Sequence, residues 1–112
     1  MNEITAIDDE DFAAVMRALG HPVRLNILRI LADKQQDCCC TDVIGCLPLA
    51  QSTVSQHIKV LLDAGLVERH AKGTRNCYSL RMDRLAALGT AAAGLFTGLT
   101  ADRLPAAVKE TA

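Results

Sequence analysis

Gln51 to Gly65, QSTVSQHIKVLLDAG, decides the fold of this chain. Placed on a helix, Val54, Ile58, Leu61 and Leu62 recur at i, i+4, i+7 and i+8 on one face, while Ser52, Thr53, Gln56 and Asp63 fall opposite. One face is for burial and the other is short, polar and uncharged near its start. Gly65 stands where a C′ glycine ends a helix, and Gln51 or Ser52 begins it.

Upstream, Asp8 to Leu19 reads as a first helix with acidic residues in its opening turn and an apolar stripe of Phe12, Val15, Met16 and Leu19. Gly20 ends it, and His21-Pro22 makes a break that places Pro22 at N1 of a second helix running to about Asp33. Val23, Ile27, Ile30 and Leu31, with Leu25 and Leu28 beside them, give that helix the wide apolar surface of a central core element. Lys34 to Asp37 reads as a polar connector. A short third helix follows over roughly Thr41 to Leu47, with Val43, Ile44 and Leu47 inward, and Pro48 stops it. The four residues Pro48 to Gln51 then have the length of a helix-turn-helix corner.

Downstream of Gly65 the periodicity changes. Leu66, Val67, Arg69 and Ala71 begin a strand, Lys72-Gly73-Thr74-Arg75 forms a basic turn, and Asn76 to Leu80 returns with Tyr78 and Leu80 inward. A last helix, Met82 to Leu99, carries Leu85, Leu88, Ala92, Leu95 and Leu99 at alternating spacings of three and four, the seam of a helix pair. A fold of this size has little core left to cover that stripe, so the first and last helices are assigned to a homodimer interface formed by Phe12, Val15, Met16, Leu19, Leu85, Leu88, Ala92, Leu95 and Leu99. The expected architecture is mainly α with a small β-hairpin: four helices, the hairpin and a fifth helix, a winged helix-turn-helix. It occupies residues 8–100, between a disordered N-terminus (1–7) and a flexible tail (101–112).

The chain has 112 residues, half of them apolar, which is one domain with a modest core. No run of eighteen apolar residues is present and the first twelve residues are acidic, so neither a membrane span nor a secretory signal is expected, and the location is taken as cytoplasmic. Five cysteines, an odd number without a signal, are read as reduced thiols. The formal net charge of −1 hides a segregation. Glu3, Asp8, Asp9, Glu10 and Asp11 open the chain, whereas residues 51–84 carry Lys59, Lys72, Arg69, Arg75, Arg81 and Arg84 against three acids.

HPVRLNILRILAD, a Cys-rich segment, and then LAQSTVSQHIKVLLDAGLVERHAKGTRNCYSL resemble the ArsR/SmtB family of metal-sensing dimeric repressors over roughly residues 8–100. The resemblance implies a dimer that occupies a double-stranded DNA operator and leaves it when an effector binds. The residue chemistry points the same way, since a helix entering the major groove needs short hydrogen-bonding side chains on its outer face. Gln56 is the expected adenine reader, and Gln51, Ser52, Thr53, Ser55 and His57 are shared between bases and phosphates. The alternative for His57 is a wedge between helices. Lys59, Lys72, Thr74 and Arg75 are expected on phosphates, the last three from the wing tip; an ordinary solvated face is the other reading of these charges.

Cys38, Cys39 and Cys40 precede the third helix, whose N-terminus favours thiolates there. Adjacent thiols suit soft three-coordinate species such as As(III) or Sb(III), or another thiophilic ion; no cofactor is otherwise required. Many relatives carry Cys-x-Cys before an Asp and an aliphatic residue. Aligned on Asp42 and Val43, those positions hold Cys39 and Thr41 here, and the third cysteine of the arsenic-sensing pattern is replaced by Ile44. Cys46, about 10 Å along a helix from the triplet, reads as a small buried hydrophobe, and Cys77 as an outward or hinge residue that is bystander or redox partner. Zinc ligation on the last helix is disfavoured, because Met82 to Leu99 contains no His and only Asp83.

Two signals fit the triplet: ligation of arsenite or antimonite, and a thiol-redox or persulfide response. An enzyme is not expected, since His21, His57 and His70 lie in separate elements and no catalytic triad, carboxylate pair or phosphate loop is present. A metal carrier needs neither the polar helix nor the basic wing. A winged-helix protein-interaction module is the remaining alternative to DNA binding.

Overall fold

The structure is a computed structural model that describes residues 7–34, 38–39, 43 and 45–101. Helix α1, Asp9–Leu19, is capped by Asp8, whose Oδ1 accepts the Asp11 N–H at 2.8 Å. Helix α2, Pro22–Lys34, starts at the expected proline. His21 caps it, with Nδ1 accepting the Val23 N–H at 3.1 Å, a task usually given to Ser, Thr or Asp.

Strand β1 is Cys38–Cys39, and it precedes a helical stretch in which Val43 and Gly45 are described. Cys40, Thr41, Asp42 and Ile44 lie outside the described residues, as do 1–6 and 102–112, the greater part of the ends assigned to disorder. Ile7 packs partly buried against the core.

Helix α3, Gln51–Asp63, begins at the expected glutamine. Its end is a Schellman motif: the Gly65 N–H donates to Leu62 O and the Leu66 N–H to Leu61 O, both at 3.0 Å, with Gly65 at φ 76°. Strands β2, Val67–Lys72, and β3, Arg75–Leu80, form the hairpin, with Gly73 in its turn at φ 64°. Helix α4, Met82–Thr100, completes the chain.

The sheet has three strands where the sequence predicts two. All pair antiparallel in the order β1-β3-β2, with Cys38 opposite Tyr78 and Cys39 opposite Cys77. The hairpin alone leaves an edge of β3 with unsatisfied N–H and C=O groups, and β1 covers it. Two residues are too few to show alternation, so this strand has no sequence signal.

The core joins every layer. Val15 of α1, Ile27 and Leu31 of α2, Val43, then Val54, Ile58 and Leu61 of α3, Leu66, Val67, Tyr78 and Leu88 are all buried. The stripe predicted for α3 is therefore what docks it. The seam predicted for the last helix divides: Leu88 is buried and Leu85 partly so, but Leu95 and Leu99 are 44% and 53% exposed, and Phe96, which the seam did not include, and Met16 on α1 are exposed as well. No helix among the described residues is long and apolar enough to cross a membrane.

Candidate nucleic-acid interface

With Val54, Ile58 and Leu61 fully committed to the core, α3 can present only its other side. Gln51, Ser52, Ser55, Gln56, Lys59 and Asp63 are exposed there, and Thr53 and His57 are half-buried at its margins. The exposed row steps by three and four, which is one continuous helical stripe. Of the expected contact residues, Ser52, Ser55 and Gln56 lie squarely on it. Lys59 does too, but its Nζ forms an exposed i,i+4 ion pair with Asp63 at 3.4 Å, an interaction worth only about 0.3–0.5 kcal/mol and easily exchanged for a phosphate.

His57 is engaged within the fold. Its Nδ1 accepts from Arg24 Nε of α2 at 3.2 Å, and its ring stands 4.4 Å, centroid to centroid, from that of His21. Arg24 also reaches the carbonyls of Arg17 and Ala18 at the end of α1, at 3.3 and 3.2 Å. Burial lowers the His57 pKa, and the neighbouring His21 and Arg24 lower it further, so the imidazole is held neutral. Sequence reasoning saw the choice for His57 but missed Arg24, whose partner lies 33 residues away.

The wing lies beside this helix. Lys72, Gly73, Thr74 and Arg75 are all exposed at the hairpin tip, as expected. A groove between α3 and the sheet is lined by Ser55, Ile58, Lys59, Leu62, Asp63, Arg69 and Tyr78. Arg69 therefore joins Ser55 and Lys59. It shares a strand face with Val67, two residues earlier, and that period of two was the signal available for it.

The thiols do not sit as the sequence suggested. Cys38 and Cys39 belong to a strand rather than to a helix start, in register with Tyr78 and Cys77 of β3. Cys77, expected outward or in the hinge, is fully buried, and Cys46, expected buried, is exposed. Cys46 follows the last helical position before Pro48, where the chain turns, and the loop leaves it in solvent.

This geometry agrees with what the chain is similar to. The profile of the family described as "Bacterial regulatory protein, arsR family" matches residues 21–69. An HTH-type transcriptional regulator of Methanocaldococcus jannaschii is 38% identical over 76 residues, which is 68% of this chain and 84% of the relative. The chain belongs to the arsR family. The arsenical resistance operon repressor of Bacillus subtilis is 38% identical over 64 residues, covering 57% of this chain and 60% of that one. Among solved structures, the NMR structure of a homodimeric winged helix-turn-helix DNA-binding domain from Mycobacterium bovis, described as a possible ArsR-family regulator, superposes with a TM-score of 0.61. It is 28% identical and covers 86% of this chain and 88% of that one. As an ArsR-family winged helix-turn-helix protein, this chain is a DNA-binding transcriptional repressor and not an enzyme.

Proposed function

We propose that this repressor binds its operator as a homodimer, reads bases with the exposed row of α3, and releases the operator when a thiophilic effector, arsenite or antimonite first among them, engages cysteines of the β1 region. The observation that carries the reading is the division of α3 into a fully buried stripe, Val54, Ile58 and Leu61, and an exposed polar row. Gln56 offers a bidentate amide suited to adenine, with Ser52, Thr53 and Ser55 beside it. Lys59, Arg69, Lys72, Thr74 and Arg75 hold phosphates on either side, and His57 positions the helix by bracing it on Arg24.

The homodimer is supported by the exposed apolar residues Leu95, Phe96 and Leu99 of α4 and Met16 of α1, and by the dimeric state of the M. bovis relative. The B. subtilis relative represses an arsenical resistance operon, which supports a soft thiol ligand as the signal. Such a ligand needs converging sulfurs, and Cys38, Cys39 and Cys40 are the consecutive thiols that this region offers.

The test is retardation of operator DNA by the reduced protein across a salt series, with and without arsenite. Binding that weakens steeply with salt and is lost on arsenite addition is expected. Failure to retard any DNA at low salt points to a protein-interaction module, and release by oxidant or persulfide but not by arsenite points to a redox sensor.

A further inference from the structure

The hydrogen bonds of His21 and His57 fix where each ring carries its proton. His21 Nδ1 accepts the Val23 N–H at 3.1 Å, and His57 Nδ1 accepts the Arg24 Nε–H at 3.2 Å. A backbone amide and a guanidinium can only donate, so each Nδ1 keeps its lone pair and each neutral ring holds its proton on Nε2. The two rings stand 4.4 Å apart, centroid to centroid, tilted by 51°.

Any further proton must therefore go to an Nδ1 that is already in use. On His57 it sets N–H against N–H across the contact with Arg24, and on His21 it does the same to the first turn of α2. Once one ring is charged, the other faces that charge 4.4 Å away, so the pair titrates as a unit. The charged groups on the surrounding elements are Arg24 of α2, Arg17 at the end of α1, and Lys59 and Asp63 on α3 itself, the last two paired with each other at 3.4 Å. Burial, His21 and Arg24 all lower the His57 pKa, which puts its charging on the acid side of the ordinary 6.5.

We propose that His21, His57 and Arg24 form a proton-operated latch on the reading helix, closed when both rings are neutral and opened by acid. This rests on the base reading by α3 proposed above and adds to it a second signal, a proton from solvent, that involves no thiol. Opening is local. Arg24 keeps the carbonyls of Arg17 and Ala18, so α1 and α2 stay joined, while α3 loses this polar tie to both. Val54, Ile58 and Leu61 still anchor α3 in the core, which leaves it to rock about that buried stripe. Gln56, the expected base reader, directly precedes His57 and moves with it. A reading helix that spends only part of its time in the right placement binds with an affinity reduced by that fraction.

The test measures binding of the full-length reduced protein to a DNA duplex that it has selected from a random-sequence pool at neutral pH. Fluorescence anisotropy follows the affinity from about pH 8 to about pH 5 at constant ionic strength, with circular dichroism giving the folded fraction at each point. Affinity per folded protein should be level above 6.5 and fall below it, by up to about tenfold per pH unit for each proton taken up. His57→Gln, which keeps an acceptor oxygen for Arg24, and His21→Asn, which keeps a helix cap, should each flatten this fall, whatever their affinity at neutral pH. His70→Gln, which removes the third histidine of the chain, should leave the fall in place. An affinity constant to within about twofold down to pH 5 overturns the proposal, as does a fall that persists in His57→Gln. So does an affinity that rises with acid, the behaviour of a histidine set against a phosphate. Imidazole nitrogen NMR of the free protein reads the latch without DNA: both rings should be Nε2–H tautomers at neutral pH, with His57 titrating below 6.5. An Nδ1–H tautomer in either ring, or titration of His57 at or above 6.5, overturns the latch. Protein that selects no DNA from the pool sinks the proposed function and the operator half of this proposal with it, while the ring tautomers still decide whether the latch exists.

Discussion

Arg24 of α2 and His57 of α3 are joined by a hydrogen bond of 3.2 Å, Nε to Nδ1, and the same guanidinium holds the last carbonyls of α1. One side chain thus fixes three helices at the end of the reading helix that faces the His21 corner. Charged donors on neutral acceptors contribute about 1.5–3 kcal/mol where water is partly excluded. Arg24→Ala should therefore lower the unfolding free energy by about 1–3 kcal/mol. It should also weaken operator binding with no change in salt slope, because a group spent inside the fold neutralises no phosphate. A salt slope that falls with Arg24→Ala would mean the guanidinium faces DNA instead.

The same contact sets a pH dependence. His57 has its pKa lowered by burial, then by His21 and Arg24, from the ordinary 6.5. Above that value the ring is neutral in both folded and unfolded chains and contributes no slope. As pH falls below 6.5 the unfolded chain takes up a proton that the folded chain resists, so stability falls until the lowered pKa is passed. Denaturant midpoints compared between about pH 8 and about pH 5.5 should drop in the wild type and drop less in His57→Gln. Parallel curves for the two proteins would remove His57 as the cause.

Gly65 should tolerate no side chain without cost. Its φ of 76° is left-handed, and a Cβ built there meets only Arg84 Nε at 3.5 Å, an ordinary contact. The cost of Gly65→Ala is thus backbone strain alone, about 1–2 kcal/mol. Urea unfolding should show that shift in midpoint with an unchanged m-value, while the folded fraction keeps its operator affinity.

Both the reading helix and its termination were legible because they are local. Val54, Ile58 and Leu61 repeat at helical spacing, and Gly65 is a residue-type signal for a left-handed cap. Leu95 and Leu99 were legible as apolar seam residues, and the chain alone leaves them exposed. What the sequence concealed is non-local. Arg24 finds His57 only after α2 and α3 cross. Cys39 finds Cys77 only once a two-residue strand covers the edge of β3, and no periodicity marks a strand that short.

The exposed end of α4 predicts the assembly. Phe96 is 58% exposed with Leu95 and Leu99 beside it, so a charge there keeps its access to water in the single chain. Phe96→Glu should leave helix content and thermal unfolding of the protomer intact. Sedimentation should show the wild type as a dimer and the variant shifted to monomer, with operator affinity lost because a single reading helix covers one half-site. A variant that stays dimeric would move the interface off this part of α4.

Wing and helix should separate cleanly in their response to salt. Lys72 and Arg75 flank the exposed hairpin turn, and if each neutralises one phosphate, its removal should reduce the slope of log affinity against log salt by about 0.9 per contact on duplex DNA. Lys72→Ala and Arg75→Ala should weaken binding to operator and to unrelated sequence alike. Gln56→Ala should keep the full salt slope and lose about 1–3 kcal/mol of discrimination against a substituted base pair, because an amide reads base edges and carries no charge. Arg69→Ala distinguishes the groove from the wing: Arg69 lines the space between α3 and the sheet with Ser55 and Lys59, so a reduced slope assigns that groove to the DNA backbone. An unchanged slope confines the electrostatic footprint to the hairpin tip and to Lys59. The four variants measured over one salt series therefore decide which of these side chains position the duplex and which read it.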